Sequence, residues 1–476
     1  MPLPPVGLSK EQVLATLRAY KAHDAPWLEG RVMAGVYDPG PAVAEVGKAA
    51  YTEFLSENAL YPNLYPSLLK LETDTVRSIA DWLGGGPQTV GNFTSGGTES
   101  ILLAVKAARD WARAHKPQVQ TPEMVLCITA HPAFHKAAHY LGLKVQITPM
   151  NPTTFRADVE AMRQAINENT VLLVGSAPCY SHGVVDPIPE IAALAQEKGV
   201  LCHVDACVGG LHLSVMRTLG FSVPAFDLSI PGVTSLSTDL HKYGYAAKNA
   251  SVILYHSPAL RRFALYANAR TTGYAVINPT VLSSKSGGPL AGAWATLHFL
   301  GLQGYQQIVS EVQRATERLL AGIAAIPELQ VLGKPDMCMF AFSSAHLNVF
   351  ELEDALSSRG WFVQAQFSAG GGPANLHLSV NRSNVPHVED FLTALQESVA
   401  EVKRGGGLDH LESLRQEVAQ LLQNPGPDPF TRIAALAGLV PGQMPTGFAR
   451  INTLLELLPD ELVESLLVEY VNSLYR

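Results

Sequence analysis

Short apolar runs alternate with amphipathic stretches through the middle of the chain. Met124–Thr129, Lys144–Thr148, Thr170–Gly175, Val200–Val204 and Ser251–Tyr255 are brief and mostly rich in Val, Ile and Leu, as strands buried on both faces are. Between them, Thr98–Ala114, Pro132–Leu141 and Ile188–Lys198 place apolar residues at helical spacing. Strands alternating with helices predict an α/β fold whose mainly parallel sheet is covered on both faces. The alternation extends from about Tyr51 to Ser257. A helix over Lys10–His23 and a loop-like stretch, Arg31–Pro41, precede it. Leu290–Ala325 is predicted to be a long helix leading into a smaller α/β unit that ends near Lys403. Gly405, Gly406 and Gly407 mark a linker, and helices are expected at His410–Leu422 and Pro459–Tyr475. The resulting units are 1–50, 51–288, 289–403 and 404–476. The last helix reads as docked on a core. Asp460, Glu461, Glu464 and Glu469 on its polar face would be repelled by an anionic lipid surface.

Composition narrows the classes. Of 476 residues, 47% are hydrophobic and 16% charged, so a large interior can be filled. The net charge of -8 and the lack of a basic stripe argue against nucleic acid as a partner. Cys127, Cys179, Cys202, Cys207 and Cys338 are scattered without a C-x-x-C pair, which suits neither a disulfide framework nor a metal site. The opening MPLPPVGLSKEQ lacks the basic and apolar regions of a signal peptide. No stretch approaches the roughly 18 uninterrupted apolar residues of a membrane span. The expectation is a soluble cytoplasmic protein.

Three segments carry candidate chemistry. Thr94-Ser95-Gly96-Gly97-Thr98-Glu99-Ser100 opens a helical pattern after an apolar segment around Val90. Glycines there allow an anion close to the backbone, and a helix start offers unpaired N–H groups; a plain capping turn would look the same. His203-Val204-Asp205-Ala206-Cys207 ends a buried run with an acid that needs a partner. A protonated ring nitrogen is one partner, and local backbone donors are another. In Ser237-Thr238-Asp239-Leu240-His241-Lys242-Tyr243-Gly244, Lys242 is either a surface lysine or an imine-forming amine whose pKa its surroundings lower. Anion loop, acid and lysine in that order say more together than any one alone.

That order resembles the group II decarboxylase branch of the fold-type-I pyridoxal-phosphate enzymes and, within it, the sphingosine-1-phosphate lyases. The stretches that carry the resemblance are NFTSGGTESILLAVKAARD from Asn92, HPAFHKAAHYLG from His131, SHGVVDPIPEIAALA from Ser181, HVDACVGG from His203 and GVTSLSTDLHKYGYAAK from Gly232. It covers about Arg31 to Lys403. It implies a fold-type-I transferase fold: a seven-stranded type of sheet in a large cofactor domain, with a smaller C-terminal α/β domain. It implies a homodimer with shared sites, to which the first fifty residues contribute. Pyridoxal phosphate would be the cofactor, with Lys242 as its Schiff-base lysine. Asp205 would pair with the pyridine nitrogen and His131 would stack on the ring, although a hydrogen-bonded core histidine is the plainer explanation for the latter. Gly97, Thr98 and His241 would hold the cofactor phosphate, and Ser284 would reach that of the neighbouring subunit. Cys207 reads as a packing residue near the ring.

For the substrate, the resemblance implies a phosphorylated long-chain base, gripped through its phosphate by Tyr37 and Lys248. Retro-aldol cleavage would give a fatty aldehyde and ethanolamine phosphate. Tyr180 would present a hydroxyl near the reacting carbon. The base is open among a phosphate oxygen, Tyr180, Lys248 and His131. The chain departs from the family pattern at Tyr61, which replaces a phosphate-binding histidine, and at His135, Lys285 and Leu240. Two rival readings stand beside the lyase: an L-amino-acid decarboxylase with the same cofactor, and a silent scaffold.

Overall fold

The computed structural model describes residues 3–270, 273–406, 408, 411–423, 429–437 and 447–475. Its centre is a seven-stranded sheet. In chain order the strands are β1 (Val90–Thr94), β2 (Glu123–Cys127), β3 (Lys144–Thr148), β4 (Thr170–Ser176), β5 (Leu201–Asp205), β6 (Ser235–Asp239) and β7 (Ser251–Tyr255). Their spatial order is β1-β7-β6-β5-β4-β2-β3. All neighbours from β3 across to β6 pair in parallel, and β7 runs antiparallel to both β6 and β1. The expected mainly parallel sheet is present, with one reversed strand near its edge. β2, β4, β5, β6 and β7 are buried along their whole length, as helices on both faces require.

β6 has no apolar run, reading Ser-Leu-Ser-Thr-Asp. It is a strand because its hydroxyls find partners inside: His203 Nδ1 lies 2.8 Å from Ser235 Oγ, and its Nε2 lies 3.2 Å from Ser237 Oγ. A second buried hydroxyl chain pins the helix Gly97–His115 to the sheet. Thr94 Oγ1 meets Ser100 Oγ at 2.6 Å, and Ser100 Oγ meets Ser251 Oγ at 3.0 Å. Buried polar groups satisfied in this way fix an arrangement instead of weakening it.

The helix Gly288–Ala324 leads away from the sheet and is interrupted at Gly301 (φ 54°), so the single long helix expected there is two helical segments joined at a kink. Tyr305, just beyond the kink, donates its hydroxyl to the Gly244 carbonyl at 2.7 Å. Next comes an antiparallel sheet of β10 (Gln330–Val331), β11 (Met339–Ser343), β12 (Gln364–Gln366) and β13 (Asn375–Ser379), after the short pair β8 (Tyr266–Asn268) and β9 (Val276–Asn278). The two bodies meet closely at Gly183 (φ +69°), where an added Cβ would collide with the Met339 carbonyl. Asp336 N–H donates to the Gly183 carbonyl at 2.9 Å, sealing the same seam.

Beyond Arg404 the tail builds a core of its own from Leu414, Val418, Leu421, Ile433, Leu454, Leu458 and Leu466. The Asp354 carboxylate accepts from Phe448 N–H at 2.8 Å and Ala449 N–H at 3.0 Å, capping the helix Ala449–Leu457 and tying it to the smaller body. Gly407 of the expected linker and His410 of the expected helix lie outside the described residues.

Candidate active site

A cavity of about 300 Å³ opens at the carboxyl ends of the parallel strands, where ligands of such sheets sit. Gly97, Thr98, His131, Asp205, His241 and Lys242 all line it, joined by Ser95, Cys207 and Asp239. Each arrives from a strand end: Gly97 follows β1, His131 follows β2, Asp205 ends β5 and Asp239 ends β6. At Gly97 a Cβ would sit 2.8 Å from Cys207 Sγ and 2.9 Å from Asp239 Oδ2, so only glycine lets the helix start approach this wall. Glu99 braces the same turn. One of its oxygens accepts from Ser95 N–H at 2.6 Å, and the other from Val281 N–H at 2.7 Å and Leu282 N–H at 3.0 Å.

Asp205 is buried and accepts from Cys207 N–H at 3.1 Å, so one local backbone donor is present while the carboxylate still faces the cavity. His131 is exposed at the mouth, with Nδ1 accepting from Ala133 N–H at 3.1 Å. Protein packed on its inner side lowers its pKa against the pull of Asp205. His241 Nδ1 accepts from Ala250 N–H at 3.2 Å, leaving Nε2 3.6 Å from Asp239 Oδ2. Burial lowers its pKa, with Asp239 opposing. The Cys207 thiol is pushed well up, chiefly by burial, which suits a packing residue and not a nucleophile.

Lys242 corrects one expectation. Its Nζ sits 3.0 Å from Asp239 Oδ2. Burial works to lower its pKa, but the Asp239 carboxylate outweighs burial and raises it. The amine is therefore held protonated, not poised as a free base. The Asp239 carboxyl is in turn held low: burial would raise it, and Lys242 and His241 overcome that. The signal was in the chain, an acid three residues before the lysine.

A second cluster stands beside the lysine. Tyr37 packs edge-on against Tyr243, with ring centroids 5.0 Å apart, and Lys248 Nζ lies 5.0 Å from the centroid of the Tyr37 ring. Burial raises the pKa of the Tyr37 phenol against the pull of Lys242, whereas burial and Lys242 lower that of Lys248. Tyr180 donates its hydroxyl to Gln364 Oε1 at 2.6 Å, and its ring lies 4.3 Å from that of buried His377. Burial raises its pKa. Gln364 and His377 come from β12 and β13 and had no local signal in the chain.

Tyr37, Tyr180 and Lys248 stand outside the cavity lining, and two further expected residues, Tyr61 and Ser284, fall outside it as well. Tyr61 is 46% exposed and does not line the cavity. Ser284 is exposed and accepts from Asn58 Nδ2 at 3.3 Å. Of the departures, His135 is exposed, Lys285 Nζ donates to Thr280 Oγ1 at 3.2 Å, and Leu240 is fully buried.

Pyridoxal phosphate fits these residues. A glycine-lined helix start with an adjoining histidine suits its phosphate, an acid at a strand end suits its ring nitrogen, and a cavity lysine suits its aldehyde. Among the described residues, Asp239 Oδ1 is buried without a hydrogen-bond partner, which leaves one acceptor open at the cavity wall. Fold and site together define a fold-type-I, pyridoxal-phosphate-dependent enzyme. The pyridoxal-dependent decarboxylase conserved domain matches residues 50–345, and a C-terminal HTH domain of pyridoxal-dependent enzymes matches 412–473. Rice sphingosine-1-phosphate lyase is 41% identical over 414 residues, 85% of this chain and 75% of that one. The solved sphingosine-1-phosphate lyase of Burkholderia pseudomallei superposes with a TM-score of 0.81 at 34% identity, covering 89% of this chain and 97% of its own. Glutamate decarboxylase of Lactobacillus brevis shares the fold, with a TM-score of 0.74 at 17% identity, covering 84% of this chain and 95% of its own. The chain belongs to the pyridoxal-dependent decarboxylase family and, within it, to the sphingosine-1-phosphate lyases.

Proposed function

We propose that the protein cleaves a phosphorylated long-chain base between C2 and C3, giving a fatty aldehyde and ethanolamine phosphate. The observation that carries this reading is the pairing of Lys248 with Tyr37 beside Lys242: a cation and a phenol at one rim match a phosphate monoester. Pyridoxal phosphate, when bound, supplies the sink for the electron pair left on C2 as the bond breaks.

The chain's own groups do the rest. Lys242 would anchor the cofactor through its aldehyde. Asp205 would keep a proton on the ring nitrogen, and His131 would cover the ring at the mouth. Gly97, Thr98 and His241 would hold the cofactor phosphate. The 3-hydroxyl proton must leave as the C3 carbonyl forms. Tyr180 holds its own proton tightly and orients the hydroxyl, while His131, with its lowered pKa, is the better acceptor.

The reading extends to a cytoplasmic homodimer. Ser284, exposed and outside the cavity of its own chain, would serve a second copy. Five buried, unpaired cysteines suit a reducing compartment. Incubation with sphingosine 1-phosphate and with a panel of amino acids separates the rivals. Ethanolamine phosphate is expected; carbon dioxide from an amino acid instead would assign a decarboxylase. A mass of two chains is expected in sedimentation, and a single-chain mass would remove the role of Ser284.

A further inference from the structure

The helix Ala449–Leu457 is fastened to the smaller body along its whole length. Asp354 caps its start, Asn452 Nδ2 donates to Glu353 Oε2 at 3.2 Å, and the two oxygens of Glu456 share the Ser368 N–H at 3.2 and 3.1 Å. The last two contacts bracket β12, the edge strand of its sheet. Glu353 also accepts from the Ala365 N–H in the middle of that strand, and Ser368 lies just past its end. β12 is the strand that reaches the candidate active site, since its first residue, Gln364, accepts from the Tyr180 hydroxyl at 2.6 Å. The loop after it is pressed onto the large body. At Gly370 (φ +58°) a Cβ would sit 2.7 Å from Ile128 Cγ2, and at Gly372 it would sit 2.7 Å from Met150 Cε. Ile128 belongs to the turn after β2 that leads into His131.

We propose that Glu456 is a positioning residue for the reaction: from the C-terminal tail it fixes the loop Phe367–Gly372 and, through β12, the placement of Gln364 on the Tyr180 phenol. Gly370, Gly371 and Gly372 give that loop little conformational preference of its own, so its placement comes from the contacts at its ends. The carboxylate of Glu456 supplies one such contact as a charge-assisted bond to the backbone. Ala369 N–H donates to the Gly372 carbonyl at 3.2 Å and Gly372 N–H to the Ala369 carbonyl at 2.9 Å, so the loop is closed on itself and shifts as a unit. Gln364, four residues before Ser368, shifts with it, and the phenol loses the acceptor that aims it. Gly97, Thr98, Asp205, His241 and Lys242 stand on strand ends of the large body, apart from this route. The tail therefore bears on the placement of Tyr180 and not on the hold on the cofactor.

The proposal rests on the lyase reading for its substrate, so its first readout uses none: amide hydrogen exchange of the cofactor-loaded protein at pH 7.5. In Glu456→Ala the amides of Gln364–Gly372 should exchange at least fivefold faster. In Glu456→Gln, whose side-chain oxygen still accepts from the Ser368 N–H, they should stay within twofold of wild type. An unchanged loop in Glu456→Ala, or loosening confined to the helix Ala449–Leu457, overturns the proposal. With sphingosine 1-phosphate, Glu456→Ala should lower kcat about fivefold and leave cofactor affinity within twofold, and Glu456→Gln should restore kcat. With Gln364→Leu already present, Glu456→Ala should add less than twofold to the loss. Full additivity of the two losses would show that Glu456 does not act through Gln364 and would overturn the proposal as well. If wild-type protein releases no ethanolamine phosphate, the lyase reading fails, while the exchange comparison still decides whether Glu456 holds the loop.

Discussion

Replacing Lys242 by Met keeps most of the side-chain volume and removes the charge opposite Asp239. Asp239 is then left facing only the His241 ring, whose Nε2 lies at 3.6 Å and whose pKa burial lowers, in a site where the acid is 3% exposed. Breaking a buried ion pair from one side costs about 3–5 kcal/mol. Lys242 is 21% exposed, which reduces the figure to roughly 2–3 kcal/mol, a melting shift of roughly 2–3 °C for a chain of 476 residues. The pH dependence carries the sign. In the native protein the Asp239 carboxyl is held low, so its contribution is present above the ordinary carboxylate range and fades as pH falls through the lowered value. Without Lys242 its pKa moves up, and the penalty appears at neutral pH and fades on acidification. Lys242, shifted upward, contributes at all pH values below its unfolded pKa, so the acid limb reports Asp239. Melting curves of both cofactor-free proteins should therefore diverge most near pH 7–8 and converge only as pH falls below the ordinary carboxylate range, through the lowered Asp239 value. Adding Asp239→Asn should recover most of the loss, since removing both partners is cheap where removing one is not. A gap independent of pH, or no recovery in the double variant, would refute the ion-pair reasoning.

Gly97→Ala forces a Cβ to within 2.8 Å of Cys207 Sγ and 2.9 Å of Asp239 Oδ2, and overpacking of about 1–3 kcal/mol should weaken cofactor binding roughly tenfold in an equilibrium titration of the apoprotein. Lys248→Gln removes a charge-assisted contact of about 1.5–3 kcal/mol to the substrate phosphate, so KM should rise at least tenfold with cofactor affinity unchanged. Glu353, pushed up to about 7 chiefly by burial and bonded to Asn452 Nδ2 at 3.2 Å, destabilises the tail's docking as pH rises from its unfolded pKa through that value. Glu353→Gln should slow amide exchange in the helix Ala449–Leu457 at pH 8 and leave it unchanged near pH 4.5.

Much of the architecture was legible because its punctuation is local. Lys144–Thr148, Ser251–Tyr255 and Ile188–Lys198 match their predicted bounds since turn-forming residues close each run. β6 was not legible: its Ser and Thr are strand residues only because His203 and a packed helix satisfy them. The reversal of β7 was not legible either, for an apolar run carries no direction. At the site, the six cofactor-cavity residues came together from four strand ends, as the rule for parallel sheets requires. The sign of the Lys242 shift was misread because it depends on a pair distance, which composition around a lysine does not reveal. Gln364 and His377 reach Tyr180 from distant strands, and nothing near Tyr180 in the chain announces them.

Gly183 has a consequence for how the enzyme can breathe. With only a hydrogen atom separating its α-carbon from the Met339 carbonyl, the smaller body is keyed to the loop that also bears Tyr180. Tyr180, three residues before Gly183, is bonded to Gln364 of the smaller body, so the same seam that excludes a Cβ also fixes the phenol. A side chain at position 183 would therefore part the two bodies and separate Gln364 from the Tyr180 phenol together.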